Sequence, residues 1–124
     1  MTYTIKWYIL FDSMRRTFIE TSAFQKRIDR AGVACLENIQ TELLKNPDAG
    51  RVVQGTGGLR KLRIADPGRG KGKRGGYRAI YLDIAAVEQI YLLALYDKDE
   101  KDDISPDEKR ILKTLVRKLK EEAQ

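Results

Sequence analysis

The residues of this sequence equipped for chemistry are cations, and they crowd into one stretch. Between Leu59 and Arg78 stand Arg60, Lys61, Arg63, Arg69, Lys71, Lys73, Arg74 and Arg78, against the single acid Asp66. The stretch carries +7 in a chain whose total is +6, so the remainder is close to neutral. Charge concentrated in this way attracts a polyanion, nucleic acid above all. Other agents of catalysis are missing or badly placed. The chain has no histidine, which removes the commonest general base and the commonest metal ligand. Cys35 is the only cysteine, so neither an internal disulfide nor a cysteine metal cluster can form. It lies among apolar residues at helical spacing, where burial is expected rather than nucleophilic work. Asp97, Asp99 and Glu108 fall at positions one, three and twelve of a calcium-loop count, but position six, where the turn needs glycine, is Asp102. No metal and no cofactor are expected.

The spacing inside the basic stretch separates two kinds of structure. From Leu59 to Ile64 the alternation is that of a strand, with Lys61 and Arg63 on one face and Arg60, Leu62 and Ile64 on the other. Leu62 and Ile64 can face a core, which leaves Lys61 and Arg63 outward and two residues apart. Pro67-Gly68 then opens a glycine-interrupted run to Gly76 that reads as a flexible loop holding Lys71, Lys73 and Arg74. A second strand follows from Tyr77 to Asp83, with Arg78 at its start. The string Gly70-x-Gly72-x-x-Gly75 matches a dinucleotide-binding fingerprint, but that motif requires a helix to begin there, and a β-branched and aromatic segment follows instead.

Those strands need a scaffold, and the rest of the chain supplies one. Thr17–Thr21 reads as a first strand, and Thr21 or Ser22 can cap the helix after it. Phe24 and Ile28 share a face of that helix. Gly32 interrupts, and a second helix is expected from about Val33 to Lys45, with Leu36, Ile39, Leu43 and Leu44 as its apolar stripe. Asn46-Pro47-Asp48-Ala49-Gly50 ends it. Gln89–Tyr96 is the most apolar segment and reads as a central strand buried on both faces, joined to Tyr77–Asp83 by a hairpin. Ser105-Pro106-Asp107-Glu108 is a helix start with a capping box, and Ile111, Leu112, Leu115, Val116 and Leu119 form its apolar stripe. The expected fold is α+β: an antiparallel sheet with two N-terminal helices and a C-terminal helix packed on it.

The length suits one domain, read as residues 14–124, with 1–13 as an N-terminal extension that is either an extra strand or a flexible arm. Met14 before Arg15-Arg16 is read as the start of the minimal domain. The run Ile5–Phe11 is broken by Lys6 and is far short of the ~20 residues that span a bilayer, so no membrane association is expected. No small-residue cleavage site follows it. The lone cysteine fits a reducing cytoplasm.

Several of these strings together resemble one family. Phe18-Ile19-Glu20-Thr21, Gln54-Gly55-Thr56-Gly57-Gly58-Leu59-Arg60-Lys61-Leu62-Arg63, Lys71-Gly72-Lys73-Arg74-Gly75-Gly76-Tyr77-Arg78 and Tyr91-Leu92-Leu93 through Tyr96-Asp97-Lys98 are similar to the HigB branch of the RelE/ParE toxin superfamily. The resemblance covers about residues 15–120. It implies the toxin of a type II toxin–antitoxin module, a metal-independent endoribonuclease that cleaves mRNA in the A site of the 30S ribosomal subunit. It also implies a cognate antitoxin, usually with a helix-turn-helix DNA-binding domain.

By the same resemblance, Lys61 and Arg63 align with paired basic positions of RelE-type sites and Arg78 with the arginine after Gly-Tyr. These three are the implied catalytic residues. Lys71, Lys73 and Arg74 are implied RNA or phosphate binders, with Lys98 beside them. Arg60 is a weaker candidate of the same kind, because alternation points it the other way. Without histidine, such a site runs phosphate chemistry on Lys and Arg, which neutralise charge in the pentacovalent transition state. A lysine crowded by other cations loses its proton more readily and could then act as base. The chain departs from RelE near its C-terminus: Asp99 and Ser105 stand near positions where RelE has an arginine and a tyrosine, and no tyrosine follows Tyr96. That leaves Lys98 or a loop residue for proton transfer. Two other functions share these features. One is a ParE-like gyrase inhibitor of the same fold, and the other is a non-catalytic RNA-binding module.

Overall fold

The computed structural model describes residues 3–11, 14–66, 76–98, 100 and 103–123, with side chains from residue 15 onward. Six strands and three helices follow one another in this range: β1 (Tyr3–Phe11), β2 (Met14–Thr21), α1 (Ser22–Ala31), α2 (Val33–Lys45), β3 (Arg51–Val52), β4 (Arg60–Ile64), β5 (Tyr77–Ile84), β6 (Gln89–Asp97) and α3 (Pro106–Glu122). They build a single sheet in the order β1-β2-β6-β5-β4-β3.

The α+β class and the three expected helices are present, but the sheet is mixed. β3 to β6 form an antiparallel meander, as hairpin-joined neighbours must. β2, by contrast, runs parallel to β6. The chain between these two is long and crosses the whole sheet, so no hairpin dictates their direction. Arg16 on β2 and Asp83 on β5 form a 2.8 Å ion pair across the end of β6. That pairing raises the Arg16 pKa, the hydrogen bond from its guanidinium to Asp83 being the main cause.

Helices cover both faces. On one side α1 and α2 bury Phe24, Ile28, Cys35, Ile39 and Leu43 against Phe18, Leu62, Ile64, Tyr81 and Leu92. On the other, Val116 and Leu119 of α3 pack on Leu59, Ile80, Leu82, Tyr91 and Leu93. Leu112 and Leu115 pack at the margin of this cluster, whereas Ile111 is 71% exposed and is not part of the stripe expected for it. At about 100° per residue, it sits a quarter-turn from the centre of the buried face.

Caps fix the helix ends. Thr21 Oγ1 accepts from Phe24 N at 3.1 Å and donates to Leu93 O at 2.8 Å, so one hydroxyl starts α1 and ties it to β6. Ser105 and Glu108 form the capping box of α3, with Pro106 in its first turn. Cys35 is fully buried, and burial pushes its thiol up to about 11. No described helix is long and apolar enough to cross a membrane.

β6 is buried on both faces, and its alternation changes phase. Its register with β5 shifts between Ile80 and Tyr81, which pair with Ala94 and Leu92, leaving Leu93 as the extra residue. Before the bulge, Ile90 and Leu92 face α1 and α2; after it, Leu95 does. Tyr91, Leu93 and Tyr96 face α3. A bulge re-aims the side chains beyond it, and here it turns Tyr96 to the side of the sheet that carries Lys61 and Arg63.

Candidate functional site

Pairing of β4 with its neighbours decides which cations meet. Arg63 lies directly opposite Arg78, and Arg78 lies opposite Tyr96, making one row across β4, β5 and β6. The next row, two residues along, is Arg51, Lys61, Ile80 and Ala94 across β3 to β6. Strand geometry sets the two rows about 7 Å apart and neighbours within a row about 5 Å apart. Arg51, Lys61, Arg63 and Arg78 therefore gather on the α3 face of the sheet.

Their surroundings differ. Arg63 is exposed and Lys61 is half-buried. Arg78 is only 4% exposed, with Nη1 donating to Tyr77 O at 3.3 Å, so it lies beneath the rim that Arg63 forms. Lys61 Nζ meets Asp103 Oδ1 at 3.5 Å. The same Oδ1 accepts from Ile104 N at 2.8 Å. That backbone hydrogen bond, and secondarily the charge of Lys61, holds the Asp103 carboxyl below its ordinary range. Lys61 thus has a carboxylate against it as well as the cations expected around it.

Two concavities meet at Lys61. One of about 240 Å³ is lined by Arg51, Val52, Val53, Gln54, Lys61, Asp103 and Lys109. The other, about 220 Å³, is lined by Ala49, Arg51, Lys61, Leu62 and Arg63. Between them they bring Arg51, Lys61, Arg63 and Lys109 together around one acid.

Arg60 faces elsewhere, as alternation requires. Its Nη1 donates to Gly50 O at 2.8 Å and Asp48 O at 3.2 Å, and its Nη2 pairs with Asp48 at 3.5 Å. It fastens the turn after α2 to β4. Lys98 stands just past β6, where its backbone N donates to Gly76 O at 3.2 Å, at the mouth of the basic loop. Gly76 itself has no room for a side chain: a Cβ there would collide with Ile64 O. Lys71, Lys73 and Arg74 lie outside the described residues.

Arg51, Lys109 and Asp103 are neighbours of Lys61 that sequence reasoning did not single out. Arg51 is on a two-residue edge strand, too short for a periodic signal. Lys109 and Asp103 reach the site from α3 and its lead-in, forty or more residues away along the chain. Tyr96 was legible as part of a buried strand, but its side depends on the bulge.

A family comparison bears on what this arrangement is for. Residues 42–124 match the family model described as the RelE toxin of the RelE/RelB toxin–antitoxin system. The match takes in the whole meander, every described site cation and α3, and leaves β1, β2 and α1 outside.

Proposed function

Starting from a chain that belongs to the RelE toxin family of toxin–antitoxin systems, we propose that it is the ribosome-dependent endoribonuclease of such a module, of the HigB type. The observation that carries this reading is the register. It sets Arg63 opposite Arg78, with Lys61 one step along the same strand and Arg51 opposite Lys61. Like charges directly opposed across a sheet repel. A bound phosphodiester offsets that repulsion, so the face suits an anion that gains charge as it reacts.

The reaction is internal transesterification of RNA. The ribose 2′-oxygen forms a bond to the adjacent phosphorus as the bond to the 5′-oxygen breaks. The 2′-hydroxyl loses its proton to a base, and the departing 5′-oxygen takes one up. The products are a 2′,3′-cyclic phosphate and a 5′-hydroxyl. Arg63 and Lys61 would neutralise the non-bridging oxygens, and Arg78 would support them from below. Lys71, Lys73, Arg74 and Lys98 would hold flanking phosphates. The substrate is mRNA in the 30S A site, and the cognate antitoxin, with a helix-turn-helix domain, is the neutralising partner.

Controlled expression of the wild type, Lys61→Ala and Arg63→Ala tests this, with growth followed and mRNA 5′ ends mapped on ribosomes. The expected outcome is growth arrest and new ends in the A-site codon with wild type, both reduced at least ~100-fold in the variants, the order lost when a transition-state donor is removed. Arrest without new mRNA ends would reject the ribonuclease and favour a gyrase-type target.

A further inference from the structure

α3 carries a second basic surface that the net charge conceals. The helix holds six cations, Lys109, Arg110, Lys113, Arg117, Lys118 and Lys120, and four acids, Asp107, Glu108, Glu121 and Glu122. They are not mixed around it. At about 100° per residue, Lys109, Lys120, Lys113, Arg117 and Arg110 fall in that angular order within an arc of about 100°, and no acid of the helix lies inside the arc. The arc borders the buried side at Val116 and runs outward to solvent.

A groove of about 550 Å³ lies along this flank, lined by Gly57, Arg110, Lys113, Thr114, Val116, Arg117, Lys120 and Glu121. Its far wall is the turn before β4. Gly57 and Gly58 there have φ of +78° and +121°. Lys120 Nζ donates to Gly57 O at 2.6 Å and fixes that wall to the helix. Lys113 and Arg117 are exposed, and among the described residues neither forms an ion pair. Arg110 is held by Asp107. At its start the flank joins the candidate site, because Lys109 lines the same concavity as Lys61 and Arg51. Lys113 lies one turn beyond Lys109, so the cations are continuous from the site along the helix.

We propose that this flank of α3 is a docking track for the sugar–phosphate backbone of double-helical RNA, separate from the site that would take the scissile phosphate. It rests on the reading of that site as an RNA site and adds a second contact to it. From Lys109 to Lys120 the helix rises about 16 Å. A double helix carries a dense line of negative charge along its axis, about one per 1.7 Å in DNA and closer in the shorter-rise RNA duplex, which makes the two surfaces complementary in charge. α3 contains no aromatic residue. Unpaired bases are held by stacking on aromatic side chains, so a surface of this kind grips backbone and not bases. The groove also lacks the aromatic anchor of a protein-binding hot spot, and its one aliphatic side chain, Val116, is 1% exposed.

The test is the salt dependence of binding to a fluorescent 16-base-pair RNA duplex, followed by anisotropy from 50 to 300 mM KCl. Four full-length proteins are compared: wild type, Lys113→Gln with Arg117→Gln, Lys61→Gln with Arg63→Gln, and a control with Lys26→Gln and Arg30→Gln on α1. All these positions except Lys61 are exposed, and matching circular dichroism melts establish that the proteins fold. With two phosphate-binding cations neutralised, the slope of log K against log salt should fall by about 1.4 to 1.8 for the α3 pair. The α1 control should lose less than half as much. An α3 pair that loses no more than the control overturns the track. Retained RNA binding with lost binding to a twelve-residue polyglutamate also overturns it, in favour of an acidic protein partner. Loss with the α3 pair but not the site pair supports the track and counts against the proposed active site. A wild-type slope in both pairs rejects both.

Discussion

Replacing Tyr81 by phenylalanine should loosen the turn that supports the edge of the candidate site, by an amount the structure lets one work out. Tyr81 is fully buried in β5. Its hydroxyl donates to Pro47 O at 2.6 Å and accepts from Gly50 N at 2.9 Å. Burial raises its pKa, the strongest of several influences on it, so the phenol is neutral and able to donate at neutral pH. Phenylalanine keeps the ring and removes both bonds. The Gly50 N–H is buried and would be left without its acceptor, at a cost of about 1 to 3 kcal/mol. Pro47 O is in a part-buried contact that water can reach, so its loss is about 0.5 to 1 kcal/mol. The expected destabilisation is therefore about 1.5 to 4 kcal/mol, a sizeable share of the 5 to 15 kcal/mol typical of a domain. Urea unfolding should show a midpoint lowered by about 1 M or more with the slope unchanged. Amide hydrogen exchange should locate the change, with the Gly50 amide losing protection while the β5–β6 amides keep theirs up to the new global limit. A loss under about 0.5 kcal/mol would refute the claim that this hydroxyl anchors the turn.

Other outcomes follow from the same geometry. Asp103→Asn should tighten RNA binding by up to about five-fold, because it frees Lys61 from a pair exposed enough to be worth only about 0.2 to 1 kcal/mol; a loss of binding would show that Asp103 serves the RNA directly. Because the Asp103 carboxyl is held below its ordinary range, its small contribution to stability should be present at neutral pH and disappear as pH falls through its folded value. The difference in urea midpoint between wild type and Asp103→Asn should then be constant above the ordinary carboxylate range and close only as pH falls below it. Ser105→Ala should cost about 1 kcal/mol by removing the cap of α3, read from thermal melts. Cys35 should resist thiol reagents at pH 8 in the folded protein and react on unfolding, since its thiol is pushed up to about 11.

The local elements were legible because they depend on neighbours in the chain. The period of two from Leu59 to Ile64 separates Lys61 and Arg63 from Arg60 without reference to anything distant, and the structure seats them on opposite faces. The capping box at Ser105, the break at Gly32 and the run of β6 are local in the same sense. Ile111 was misplaced because a stripe drawn from spacing alone does not say where the buried arc ends. The α3 flank is hidden for a related reason: counting charge along the chain sums its cations with acids that fall outside their arc of the helix.

What the sequence determined by itself was the three helices, the strands β2, β4, β5 and β6, the caps of α1 and α3 and the concentration of positive charge on adjoining strands, since propensity, periodicity and composition are properties of short segments. Tertiary structure decided the rest. It set β2 parallel to β6, brought Arg51 opposite Lys61 and Arg63 opposite Arg78, and placed Asp103 against Lys61. It also turned Tyr96 to their side through a single extra residue in β6. Each of these depends on register and on contacts between segments far apart in the chain, where a shift of one residue reverses the face of every side chain beyond it.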